Sequence, residues 1–152
     1  MRTQLRDAAG LVRNFEDAYG HIIHILRKFR SEYNYPRIGY VSGVLTSDGP
    51  GRVLQNREEL IRLAGVLQEM HHFPIFTLQD AFTPETLRRL KDAGHTSHHY
   101  TDFAGEILKS GFITDVFFAP RWENSQTARS EQTLAERFGL RINYIEYEED
   151  RV

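Results

Sequence analysis

The sequence predicts a single α/β domain on a mostly parallel sheet, Rossmann-like or flavodoxin-like, with an extra helical segment at the N-terminus. Three observations predict it. From residue 37 onward, short β-rich runs alternate with helix-periodic segments in the order β-α-β-α-α-β-α-β, and such alternation implies parallel crossovers. One run, "ITDVFFAP" (113–120), is nearly all apolar, as a parallel strand covered on both faces must be. The first 33 residues repeat apolar positions every three or four residues. The division is a helical extension over 1–36 and an α/β domain over 37–152.

Each element follows from local chemistry. In the N-terminal helix the stripe is Ala8, Leu11, Phe15, Tyr19, Ile22, Leu26 and Phe29, with Gly10 and Gly20 as possible breaks and Pro36 beyond its end. "RIGYVSG" (37–43) is β-rich and closed by glycine, so it reads as a strand. A Gly/Pro loop follows, and Asn56 is placed to cap a helix with Glu59 in the capping-box position. "FPIFTL" (73–78) is the second strand. Thr83-Pro84 starts a helix that runs to about Ala93 and stops at Gly94. "HTSHHY" reads as a polar loop, and Thr101 as the cap of a helix ending at Gly111. After strand 113–120, "RWENS" is a loop whose Ser125 caps the last helix. "LRINYIEY" (140–147) is the last strand, before an acidic tail.

Composition excludes several function classes. The chain has 152 residues, 40% hydrophobic and 26% charged, enough for one domain with a real core. A net charge of -2 gives no basic excess to neutralise the phosphates of a nucleic-acid polymer. No cysteine is present, which removes disulfides, thiol nucleophiles and thiolate metal sites. No apolar run approaches the ~20 residues that span a bilayer, and the N-terminus lacks a signal peptide's apolar core, so the expected location is the cytoplasm.

In parallel α/β sheets, ligands bind beyond the C-terminal strand ends. Those ends lead here into "SGVLTSDGPG", "LQDAF" and "APRWENS". The first loop offers Ser42, Gly43, Ser47, Gly49 and Gly51, whose backbone N–H groups suit an anion, although it contains neither the dinucleotide nor the Walker fingerprint. Asp80 follows the second strand, and Trp122, Asn124 and Ser125 follow the third, with Ser130 one turn into the helix. The histidines His71, His72, His95, His98 and His99 read as solvated loop residues rather than metal ligands, with His98 or His99 kept as a pocket-lining position.

One carboxylate stands out. In "ARSEQTLAERFG", Glu131, Leu134, Ala135 and Phe138 share one helix face, and three of the four are apolar. A structural ion pair with Arg129 or Arg137 would explain Glu131, but such buried pairs are seldom net stabilising. The chemical alternative is a nucleophile. A carboxylate is ionised at neutral pH and suits carbon bearing developing positive charge, such as the anomeric carbon of a sugar. Asp102, Asp80 and Asp115 are the other carboxylates of interest.

The pattern "GYVSGVL", then "YTDFAGEILKSGFITDVFFAP", then "RWENSQTARSEQTLAERFGL" resembles the nucleoside 2-deoxyribosyltransferase-like superfamily, which includes deoxynucleoside-monophosphate N-glycosidases and small phage and bacterial relatives. The resemblance covers roughly residues 37–146 and is most specific in "RWENSQTARSE". It departs from the family at Val44, Arg129 and Thr133, where proline or glycine is usual. It implies that Glu131 is the nucleophile, Asp102 its assistant, and Ser42 and Gly43 neighbours of the sugar or phosphate. Asp115 matches a recurrent strand aspartate. The expected activity is cleavage or transfer of the N-glycosidic bond of a nucleoside or nucleotide. In this reading loop 42–51 with Ser125 or Ser130 holds the 5′ end, and Trp122 stacks on the base. No cofactor or metal is required, and a homo-oligomer is expected. The rivals are a non-catalytic nucleotide-binding domain and an NAD glycohydrolase.

Overall fold

The computed structural model describes residues 1–46 and 49–146. Among them, four strands form one all-parallel sheet: β1 (Gly39–Ser42), β2 (Ile75–Thr77), β3 (Asp115–Phe118) and β4 (Arg141–Tyr144). Their order is β2-β1-β3-β4. The chain leaves β1 for β2 on one side and returns to β3 on the other, so the strand order reverses between β1 and β3. The helices are α1 (Arg2–Ala9), α2 (Phe15–Ser31), α3 (Val53–Met70), α4 (Leu78–Ala81), α5 (Pro84–Asp92), α6 (Ser97–Lys109) and α7 (Gln126–Arg137). Short 3-10 turns occupy Pro50–Arg52 and Trp122–Asn124. The α/β, parallel-sheet expectation is met.

Strand alternation sorts the core into two layers. Tyr40, Phe76, Val116 and Phe118 face a cluster with Leu26, Phe82, Ile107 and Ala135. Val41, Ile75 and Phe117 face Leu60, Ala64 and Leu67 of α3. The N-terminal segment joins the first layer: Leu5, Val12, Ile22 and Leu26 are all buried in it. Its helices break after Gly10, where Asn14 caps α2 by accepting from the Asp17 N–H at 2.8 Å. Gly20 stays inside α2. Leu11 and Tyr19, expected on the buried stripe, are exposed, because the break turns the two helices independently.

Local chemistry set several boundaries as expected. Thr83 accepts from the Thr86 N–H, Ser125 from the Ala128 N–H, and Gly94 and Gly111 carry the positive φ that ends α5 and α6. Two caps differ. Asn56 lies inside α3, where its side-chain amide donates to the Leu45 carbonyl at 3.0 Å. α6 begins at Ser97 instead of after Thr101, because Thr96 and His99 form a reciprocal cap, the His99 ring accepting from the Thr96 N–H at 2.9 Å. Each strand is shorter than expected, and the end of the proposed 140–147 strand at Tyr147 lies outside the described residues.

Candidate active site

Beyond the C-terminal end of β1 lies a cavity of about 710 Å³, the size of a small-molecule pocket. Its wall takes Tyr40, Val41 and Ser42 from β1 and Thr77 from the end of β2, and ligands in open parallel sheets bind beyond such C-terminal strand ends. Tyr40 and Ser42, two residues apart on β1, point to the same face of the sheet, and that face meets α7. On α7, Ala128 and Ala135 are fully buried against the core, and this fixes the helix rotation that turns Glu131 inward.

Glu131 is 3% exposed. The Ser42 hydroxyl donates to its Oε1 at 3.1 Å, while its Oε2 is buried without a hydrogen-bond partner. Burial pushes its carboxyl up to about 7, against the opposing pull of the Tyr40 and Ser42 hydroxyls. The alternative, an ion pair with Arg129, is not formed, because that guanidinium donates to the Glu123 carbonyl instead. Burial also raises the phenols of Tyr40 and Tyr100, and the nearby Glu131 charge adds to this. Both therefore remain protonated and able to donate at neutral pH. Gln79, just past β2, donates from Nε2 to the Tyr100 hydroxyl at 2.8 Å. The far wall is apolar, with Phe15, Leu87 and Leu90, and carries Lys91 and His95 at its margin.

The structure brings Glu131, Ser42, Gly43 and Ser125 of the expected set to this cavity. Gly43 permits a close approach: a Cβ there would stand 2.7 Å from Leu60 Cδ2 and 2.9 Å from Ala119 Cβ. The other expected residues lie elsewhere. Asp102 is on the outer side of α6, 67% exposed and 3.3 Å from the similarly solvated His98. Asp80 is wholly buried, but it is held by Arg2 at 2.9 Å and Arg6 at 3.4 Å, and it accepts from the Thr77 N–H, so its role is structural. Asp115 is likewise paired with Arg37. Trp122 and Asn124 line a separate open groove of about 580 Å³, where Trp122 stacks on Tyr144. Ser130 is half-buried on α7 outside the cavity wall, and Gly49 heads the Pro50–Arg52 turn. Ser47 lies outside the described residues. Of the histidines, His95 reaches the cavity, whereas His98 and His99 do not line it. Phe138, expected on the inner stripe, caps the C-terminus of α7 and is exposed.

Sequence reasoning missed Tyr40, Gln79, Tyr100 and Thr127. Tyr40 had a usable signal, since it sits two residues before Ser42 on a strand and must share its face. Among the described residues, no group of three or more His, Asp or Glu is placed to hold a metal ion. No helix there is long and apolar enough to cross a membrane. No family model, no curated protein and no solved structure matches the chain.

Proposed function

We propose that the chain cleaves or transfers the N-glycosidic bond of a nucleoside or nucleotide, with Glu131 as the nucleophile. The observation that carries this reading is the buried Glu131 carboxylate with one unpartnered oxygen on the wall of a cavity of about 710 Å³. In the reaction, a Glu131 oxygen bonds to C1′ as the C1′–N bond breaks. The base leaves with the bonding electrons and takes up a proton from water. Water, or a second base, then displaces the sugar from Glu131. Ser42, donating to Oε1, orients the carboxylate, and the Tyr40 hydroxyl supports its charge. Asp102, on the outer face of α6, has no part in this scheme.

The test is to incubate the purified protein with nucleosides, nucleotides and NAD and to assay released base. Base release that is lost in Glu131→Ala supports the reading, and unchanged turnover in that variant overturns it. A raised carboxyl pKa also sets the pH profile. Only the ionised form attacks, so kcat/KM should climb as pH rises through about 7 and level off above it. A flat profile from pH 5 to 9 would exclude Glu131 as the titrating nucleophile.

One feature favours the binding-domain rival. Among the described residues, Glu131 is the sole carboxylate on the cavity wall, leaving no second carboxyl group to protonate a leaving base. Ligand-induced thermal stabilisation without turnover would establish that alternative. The resemblance also implies a homo-oligomer, which sedimentation velocity would measure directly.

A further inference from the structure

Two acceptor oxygens are buried at this cavity without partners: Oε2 of the proposed nucleophile Glu131, and Oε1 of Gln79. Gln79 is 2% exposed and lines the cavity, and its backbone is held in place because the Arg57 guanidinium donates to the Gln79 carbonyl at 3.3 Å. Its side chain is tethered as well, since Nε2 donates to the Tyr100 hydroxyl at 2.8 Å. In this orientation of the amide, Oε1 is the end left without a partner. A buried carbonyl without a donor carries an uncompensated desolvation penalty, which a ligand that supplies the missing hydrogen relieves. Ionised Glu131 does not supply it, because a carboxylate is an acceptor only.

We infer that Gln79 reads the base: its Oε1 accepts an N–H from the exocyclic amino group of an aminopurine or aminopyrimidine held between Glu131 and the apolar wall. The ligand class rests on the nucleoside reading, while the hydrogen bond rests on the orphaned oxygen. The polar end then takes the sugar at Glu131 and the amino edge at Gln79, and Leu87, Leu90 and Phe15 enclose the ring. A base lacking the donor leaves Gln79 unpaired in the complex and loses affinity, as sites built around a hydrogen bond characteristically reject analogues without it.

The test uses binding, so it does not depend on turnover. Calorimetry with 9-methyladenine and 9-methylpurine compares two ligands that differ by the amino group, with the ring N–H of the free bases removed. The expected result is binding of 9-methyladenine about tenfold or more tighter to the wild type. Gln79→Leu should bring the two ligands within about twofold of each other, and Gln79→Glu, which keeps an acceptor, should retain the preference. The wild-type comparison needs no variant, so a misfolded Gln79→Leu would not rescue a failed inference. Equal affinity in the wild type, a preference that persists in a folded Gln79→Leu, or no binding of either ligand overturns it. Base release that is indifferent to the amino group would overturn this inference and leave the glycosidic reaction standing.

Discussion

Glu131 links stability to acidity. Its carboxyl ionises near 7 in the folded chain against an ordinary value of 4.5. Between those values the native state holds a proton that the unfolded state has lost, so stability falls as pH rises through that window and is constant above it. The full drop is about 3 kcal/mol by proton linkage. Glu131→Gln removes the titration. Its stability relative to wild type should therefore grow between pH 5 and pH 8 by most of that amount. Urea unfolding of both proteins at the two pH values measures this, and parallel pH slopes would contradict it. Glu131 was legible in the sequence because a lone carboxylate broke an apolar stripe. Tyr40, Gln79 and Tyr100 were not, because a tyrosine or glutamine on a buried face is compatible with many roles. Only the meeting of β1, β2 and α6 aims them at one space. Asp80 misled for the complementary reason: its position after a strand suggested a site, and nothing local announced that Arg2 and Arg6 would arrive from the distant N-terminus.

Elements were readable where their ends are governed by neighbouring residues. Thr83-Pro84 and Ser125 capped as expected because the capping oxygen needs only an N–H three residues on. Asn56 failed as a cap because its amide found a tertiary partner, the Leu45 carbonyl, which the sequence pattern does not encode. β1 shows how tightly its end is enclosed. Gly43→Ala would drive a methyl group into Leu60 of α3 and Ala119 beyond β3, which should cost about 1–3 kcal/mol by overpacking. The shift should also displace Ser42 and weaken its hold on Glu131. Chemical denaturation should show a lower midpoint with an unchanged slope, and a Gly43→Ala protein as stable as wild type would show that α3 yields freely.

At the scale of the whole molecule, the N-terminal helices belong to the same body as the sheet. Leu26 is completely buried in the main core, so Leu26→Ala should destabilise by about 2–5 kcal/mol. Removing residues 1–33 would strip Arg2 and Arg6 from buried Asp80 as well as uncovering that core. The truncated chain should lack a cooperative thermal transition, and scanning calorimetry would show whether one survives. The helicity of this segment was legible from its periodicity. Its docking was not, since an apolar stripe says that a helix must be covered but not by what. The cavity wall draws Phe15 from the second helix and Glu131 from the last. During synthesis, therefore, the pocket cannot be completed until nearly all of the described chain has left the ribosome. A partial product or proteolytic fragment that lacks either residue leaves the cavity wall incomplete, so closure of the pocket reports on folding from the second helix to the last.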